Sequence, residues 1–384
     1  MKRRVSVEID LEALKRNYSK IAARVKPASV LSVLKANAYG LGVSDYAKAL
    51  FDAGCRSFGV AEPYEALELL KILKPSADCA EVQVLSSILP DEIYPMVKAG
   101  VVLPVVDVSS ARLIDSAAGK LKKKAKVHIK IDTGMGRLGI PVKEALATVL
   151  EILKLPNLNC EGIFSHCAMA YNPKDPMTLR QIKAFRNLLA ELERNGAVFR
   201  KIHIAASDAI NNFPEAAKRP FNIVRTGINL HGSFDPNGRR ALKLEPVLKL
   251  MTRVAQVREL PAGTTLGYGR TWCLDAPHKI ATISAGYADG FPLAISNRGF
   301  VFIGGRRCKI LGRISMDYTT VDVTDVPDVK VGDDVVCFGR CGDDSITPDD
   351  WAEIKGTHAY DIICSLGSRV QRIVAKKRDN GKRK

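Results

Sequence analysis

The chain has 384 residues, 46% hydrophobic and 26% charged, with no low-complexity stretch. That length exceeds one ordinary compact domain, and the composition excludes a disordered or collagen-like chain. No run of about 20 apolar residues marks a membrane span, and the opening MKRRVSVEIDLEALKRN alternates rather than offering the continuous apolar stretch of an export signal. The net charge is +17, from 58 basic and 41 acidic residues. Such charge suits nucleic-acid binding or the attraction of anions. No nucleic-acid motif accompanies it, and surface lysines with a basic tail, KKRDNGKRK, account for it, so neither nucleic acid nor membrane is an expected partner. The nine cysteines, at 55, 79, 160, 167, 273, 308, 337, 341 and 364, form no CxxC pair. An odd count without an export signal fits reduced thiols in a cytoplasm. Only Cys337 and Cys341 stand close together, so no metal site is expected.

Along the chain, residues 5–9 alternate as a short strand. Runs rich in Val and Ile then predict strands at 30–35, 57–61, 82–87, 101–107, 127–132, 160–166, 201–207 and 222–228. Segments of helical periodicity lie between them, among them 62–73, 143–153 and 179–195. Eight strands alternating with helices predict a (β/α)8 barrel of the TIM type, with a doubly wound open sheet as the alternative. Beyond about residue 240 helical periodicity nearly vanishes until 349–355. Strands are predicted there at 247–260, 279–285, 300–303, 309–314, 319–323 and 335–338, separated by turn signals such as GG, GDD and PDD. The expected organisation is an α/β barrel over 1–240 and a mostly β domain over 241–384, with residues 1–10 placed to pair with the second domain.

A barrel of this type carries its site at the C-terminal strand ends. Lys35 ends the first strand, inside VLKANAYG. The fifth reads VHIKIDTGMGRLG, where alternation sets His128, Lys130 and Asp132 on one face. His166 ends the sixth strand, the seventh carries His203 and Ser207, and the eighth carries Arg225. Any one of these reads equally well as a solvated rim residue. Charged side chains facing a barrel interior are costly unless paired or used, and Lys35, Lys130, His166, His203 and Arg225 at five predicted rims point to one shared active site. A lysine crowded by cations loses its proton more readily and becomes an amine nucleophile, ready to form a Schiff base with an aldehyde cofactor. The segment RTGIN, from Arg225 to Asn229, puts a glycine where backbone N–H groups can approach a phosphate. Gly227 alone also reads as a simple turn.

Over nearly its whole length the chain resembles the fold-type III alanine racemases. The resemblance is carried by VEIDLEAL, KANAYG, DTGMGRLG, FNIVRTGI, LGYGRT, SAGYADG, GRISMD and AYDIICSLGSRV. The pyridoxal-phosphate decarboxylases of basic amino acids, which have a similar barrel, do not share this combination. The resemblance implies a cytoplasmic, homodimeric isomerase that interconverts L- and D-alanine for peptidoglycan, with pyridoxal 5'-phosphate on Lys35. It places Tyr39, Ser207, Gly227, Ile228 and Tyr360 around the cofactor phosphate and Arg225 at the pyridine nitrogen. A permanent cation there keeps that nitrogen unprotonated and restrains side reactions. Racemisation takes a proton from one face of the α-carbon and delivers one to the other, which two acid–base groups on opposite sides can do. The resemblance assigns these roles to Lys35 and Tyr287, with His166 hydrogen-bonded behind the tyrosine. A tyrosine, ordinarily titrating near pH ~10, needs such neighbours to act as a base. Arg137 and the backbone of Met316 are implied to hold the substrate carboxylate. Lys130 is implied to be N-carboxylated and paired with Arg137; the plainer alternative is that Asp132 alone neutralises it. Lys35 and Tyr287 would then meet across a head-to-tail dimer.

Four positions depart from the family pattern: Ala206 for a usual Asn, His231 for a common tyrosine, Leu293 for a basic residue and Leu41 for a frequent histidine. They bear on substrate range and rate. One rival reading is a broader or different amino-acid racemase, for serine as an example, although a pocket narrowed by Tyr287 and Tyr360 favours alanine. A second is a pyridoxal-phosphate carrier, which has no use for a β domain bearing Tyr287.

Overall fold

The computed structural model describes residues 3–74, 80–235 and 237–375; Cys79 and the basic tail lie outside the described residues. The chain opens with β1 (Ser6–Ile9) and α1 (Leu11–Val25). The Asp10 carboxylate caps α1 by accepting from the Ala13 N–H at 2.9 Å. Its buried residues Ala13, Leu14, Asn17, Tyr18, Ile21 and Val25 recur every three or four positions, so one stripe faces the core.

The alternating units follow in order. They are β2 (Ser29–Val33) with α2 (Lys35–Gly40) and α3 (Val43–Asp52), then β3 (Ser57–Val60) with α4 (Pro63–Leu73), β4 (Glu81–Val84) with α5 (Pro90–Ala99), and β5 (Leu103–Val105) with α6 (Val108–Lys120). Next come β6 (Ala125–Asp132), the short β7 (Ile140–Pro141) and α7 (Val142–Ile152), β8 (Leu158–Phe164) with α8 (Met177–Arg194), β9 (Lys201–His203) with α9 (Ser207–Asn212), and β10 (Ile223–Thr226). Eight of these strands pair in parallel in the order β4–β3–β2–β10–β9–β8–β6–β5. The two ends of that order meet at a bridge between Gln83 and Val102, where the Val84 N–H donates to the Val102 carbonyl at 3.0 Å and the Val102 N–H to Val82 at 2.9 Å. The sheet therefore closes into a (β/α)8 barrel and is not an open doubly wound sheet. Two strands stop short of their hydrophobic runs, at Val33 rather than 35 and at His203 rather than 207, because Lys35 and Ser207 already open α2 and α9.

The C-terminal part is mostly β. It contains β11 (Leu248–Leu260), β12 (Thr265–Leu266), β13 (Trp272–Cys273), β14 (His278–Ile283), β15 (Phe300–Ile303), β16 (Arg306–Lys309), β17 (Thr319–Asp322), β18 (Asp334–Cys341) and β19 (Asp344–Ile346). Two helices, α10 (Pro348–Lys355) and α11 (Ala359–Cys364), and the last strand β20 (Gln371–Val374) complete it. The main sheet runs β16–β15–β18–β11–β1–β20. The N-terminal strand is built into it, with Ser6 opposite Met251 on the antiparallel side and opposite Gln371 on the parallel side. The long β11 changes partners along its length: its first half pairs with β1 and β18, its second with β14, and a register shift near Val254 bends it between them. The strand expected at 309–314 is instead Arg306–Lys309, a hairpin with β15 turned through Gly304 and Gly305, both at positive φ. Helix α11, which carries Tyr360, is only six residues long, too short to register as a helical period.

Candidate active site

Lys35 stands exposed at the C-terminal end of β2, close enough to His166 and Cys364 for its charge to act on both. It opens a turn wound left-handed: Ala36, Asn37, Ala38 and Tyr39 have φ between 53° and 59°. Such winding costs a residue with a side chain about 1–2 kcal/mol, so neighbours must hold it. The Asn37 Oδ1 accepts from the Val43 N–H at 2.7 Å, and its carbonyl accepts from Leu41 and Gly42, each at 3.0 Å. Glu65 of α4 reaches back, accepting from the Ala36 N–H at 2.5 Å and from Ala61 and Glu62, each at 3.0 Å. Arg372 of β20 closes the far side, its Nε donating to the Gly40 carbonyl at 2.8 Å.

The turn delivers the buried Tyr39 hydroxyl to Gly227, where any side chain would collide with it. The Gly227 N–H donates to Ser207 Oγ at 3.1 Å, and the Ser207 hydroxyl lies close enough to Tyr360 to act on its titration. The Tyr39 and Tyr360 rings are 5.7 Å apart. Ser207 opens α9 and Ile228 opens a 3₁₀ turn, Ile228–His231, so the first peptide N–H groups of both have no acceptor within their own turn. Burial raises both tyrosines above their ordinary range, so their hydroxyls stay protonated donors. A cradle of neutral donors cleared by a glycine fits a phosphate. Behind it, His231 is buried edge-on to Tyr39, its Nδ1 3.1 Å from the Tyr46 hydroxyl, and burial pushes it down to about 3.

Arg225 lies on β10 and is 4% exposed. Its Nη2 donates to the carbonyls of Ser165 and Ile204, at 2.8 and 3.1 Å, and to His166 Nδ1 at 3.0 Å; its Nη1 donates to His203 Nδ1 at 2.7 Å. A guanidinium has only donors, so both Nδ1 atoms accept, and each neutral ring carries its proton on Nε2. Burial, reinforced by the Arg225 charge, pushes His166 down to about 3 and His203 well below its ordinary value. Arg225 itself is drawn down by burial to about 10, still charged at neutral pH.

Lys130 is 5% exposed; its Nζ donates to the Leu85 carbonyl at 3.1 Å and lies 5.4 Å from the Phe164 ring centre. Burial, followed by the charges of Arg137 and Arg225, pushes its ammonium down to about 8. Asp132 is spent elsewhere: it accepts from the backbone N–H groups of Gly134, Met135 and Gly136 at 2.8, 2.7 and 2.9 Å, shaping the loop that carries Arg137. Its charge opposes the shift of Lys130 only weakly.

Tyr287 and Met316 lie together, but in the C-terminal part. The Tyr287 N–H donates to the Ser315 carbonyl at 3.0 Å and the Ala288 N–H to Met316 at 3.1 Å, while both side chains are exposed, by 44% and 51%. Asp289 pins this turn, accepting from the Gly286 N–H at 3.0 Å and from Arg369 at 3.1 Å. Thus one chain brings together Lys35, Tyr39, Lys130, His166, Ser207, Arg225, Gly227, Ile228 and Tyr360, with Tyr287 and Met316 as a second group. Sequence reasoning missed Glu65, whose signal is the acid following AEPY at the start of α4, a capping pattern.

Comparison with known proteins agrees along the chain. Residues 9–235 match the family described as alanine racemase, N-terminal domain, and residues 247–374 the alanine racemase, C-terminal domain. The alanine racemase of Halothermothrix orenii is 36% identical over 367 residues, covering 95% of each chain, and that of Chlorobaculum tepidum 38% over 369 residues, covering 95% of this chain and 94% of its own. Among solved structures, alanine racemase from D-cycloserine-producing Streptomyces lavendulae superposes with a TM-score of 0.90 at 31% identity, over 98% of each chain. Alanine racemase from Bartonella henselae, solved with covalently bound pyridoxal phosphate, gives 0.86 at 31% identity, over 97% of this chain and 100% of its own. With its barrel site in place and both halves matched, the chain belongs to the alanine racemase family.

Proposed function

We infer that this chain interconverts L-alanine and D-alanine, using pyridoxal 5'-phosphate held on Lys35, and supplies D-alanine for peptidoglycan in the cytoplasm. One observation carries the inference: Lys35, the donor cradle of Tyr39, Ser207, Gly227, Ile228 and Tyr360, and the buried Arg225–His166 pair converge at the C-terminal mouth of one barrel. Bound there, the cofactor supplies an electron-withdrawing ring that acidifies the α-C–H of the amino acid. The protein's residues do the rest. Arg225 would hold the ring nitrogen and, having no lone pair to offer and keeping its own protons at neutral pH, would keep that nitrogen from being protonated. The Lys35 amine would move a proton on one face of the α-carbon. The Tyr287 hydroxyl moves one on the other face. His166, left by Arg225 with its proton on Nε2, is the donor that steadies the Tyr287 phenolate. Arg137 and the Met316 backbone take the alanine carboxylate.

Tyr287 comes from a second copy of the chain in a head-to-tail homodimer. Two bases that serve opposite faces of one α-carbon have to approach from opposite sides, and Tyr287 is exposed on its own chain, following β14 of the C-terminal sheet, whereas Lys35 follows β2 of the barrel.

The test is direct. Cofactor-loaded protein should turn either pure alanine enantiomer into the racemate, read by chiral chromatography across a panel of amino acids, and borohydride should fix the cofactor to Lys35 by peptide mapping. No turnover of alanine, or a label on another lysine, would end the assignment; faster turnover of serine would transfer it to the rival substrate.

A further inference from the structure

The opposite, N-terminal end of the barrel holds a second group of charges. Lys201 Nζ lies 2.5 Å from a Glu81 oxygen and 3.2 Å from a Glu161 oxygen, and Arg200 reaches Glu161 at 3.3 Å. Arg200 is 75% exposed and screened by solvent. Two carboxylates meet two cations there, and Glu161, 6% exposed, is the most enclosed of the four. His128, fully buried on β6, has a ring nitrogen within 4.8 Å of an oxygen of each glutamate.

Hydrogen-bond direction can be followed inward from Arg225. His203 Nδ1 accepts from the guanidinium at 2.7 Å, so neutral His203 carries its proton on Nε2 and donates it to His128 Nδ1 at 3.0 Å. Neutral His128 must then carry its own proton on Nε2. That N–H is buried and has no hydrogen-bond partner among the described residues, and the charged groups beside the ring are the Glu81 and Glu161 carboxylates with the Lys201 ammonium bonded between them. Room for the ring is made on β8, where a register shift beside His128 brings up Gly162, and any side chain at 162 would collide with the imidazole. Two glutamates and a histidine could also suggest a metal site. Lys201 already fills the space between the carboxylates, and the free His128 nitrogen offers a proton where a metal needs a lone pair.

We propose that Glu81, Glu161 and His128 are positioning residues for Arg225. The two carboxylates attract the His128 Nε2–H, and this holds both His128 and His203 in the one tautomer that leaves His203 Nδ1 an acceptor for the guanidinium. The opposite tautomer of His203 would set an N–H against the Arg225 N–H and push it off the cofactor ring. The proposal rests on the role of Arg225 inferred above, and the protonation state of the histidines tests it separately from turnover.

Holoenzyme labelled with 15N-histidine, with His128→Asn and His203→Asn to assign the rings, should show protonated Nε2 and bare Nδ1 at both positions at neutral pH. A ring protonated at Nδ1, or at both nitrogens, overturns the proposal. In Glu81→Gln/Glu161→Gln the His128 resonances should move, and kcat for alanine should fall by about tenfold with KM unchanged, the order seen when a supporting hydrogen-bond partner is lost. His128→Asn, whose Oδ1 can stand in for Nδ1, should recover most of the activity lost in His128→Leu. Wild-type histidine resonances and kcat in a folded double variant would overturn the proposal. Should the double variant not fold, the wild-type tautomers and the Asn–Leu comparison decide it. Expected tautomers in a protein that fails to racemise alanine would leave the histidine line standing and defeat the catalytic role of Arg225 instead.

Discussion

Lys130 is a buried cation on which two more cations, Arg137 and Arg225, act more strongly than Asp132, which is bound to three backbone N–H groups. Pushed down to about 8, it spends part of its time as a neutral amine at neutral pH. A neutral amine can add carbon dioxide, and the resulting carbamate turns repulsion from Arg137 into an ion pair. Lys130→Ala should therefore raise the KM for alanine, and small carboxylates should partly restore it. A bare amine in a high-resolution density map at neutral pH would count against the modification. The alternation of VHIKID makes Lys130 legible as an inward residue, but the loss of its expected partner is not legible. Asp132 is captured by the loop that follows it, a competition between local N–H donors and a distant ammonium that only a folded chain decides.

Among the elements, the left-handed turn after β2 is the one that sequence reasoning could not foresee. KANAYG has a single glycine, at its end, and of Ala36–Tyr39 only Asn37 adopts positive φ readily. The conformation is imposed from outside by Glu65, Arg372 and the loop to Val43. Glu65→Ala leaves three N–H groups without their acceptor and should cost about 3 kcal/mol in denaturant unfolding, with weaker cofactor binding because Tyr39 shifts. A loss below about 1 kcal/mol would mean that the turn holds without it. The eight barrel strands, by contrast, were legible. Their hydrophobic runs are local, and burial on both faces of a closed sheet makes such runs continuous.

For the whole molecule, burial makes stability depend on pH. His128, His166 and His231 are pushed to about 3 and His203 well down, all from an ordinary 6.5, so each stays neutral in the native state while the unfolded chain takes up protons below pH 6.5. Their contribution is full above that pH and is lost as pH falls toward 3. Asp208 and Asp349, raised by burial to about 6, act in the opposite sense: the native state holds their protons below pH 6, the unfolded chain only below 3.8. Four against two leaves about two extra protons on the unfolded chain, or about 3 kcal/mol per pH unit between pH 6 and 4. The melting temperature should drop steeply across that window, and a flat profile from pH 7 to 4.5 would rule the effect out.

Shared active sites make a sharper claim at the same scale. Inactive Lys35→Ala and Tyr287→Phe chains, mixed equally and allowed to exchange, should form mixed dimers with one intact and one doubly defective site. About a quarter of wild-type activity should return, by the symmetry of a two-fold dimer. No recovery despite demonstrated exchange would place both bases on one chain. The sequence by itself determined what depends on neighbours along the chain: the strand–helix alternation, the switch to β texture near residue 240, and the strand-end residues Lys35, His166 and Arg225, because periodicity is a local property of a folded surface. Only the tertiary structure decided the rest. It set the register of β1 between β11 and β20, closed the barrel at Gln83 and Val102, and set the His128–His203–Arg225 line, because these are pairings between segments that meet only when the chain is folded.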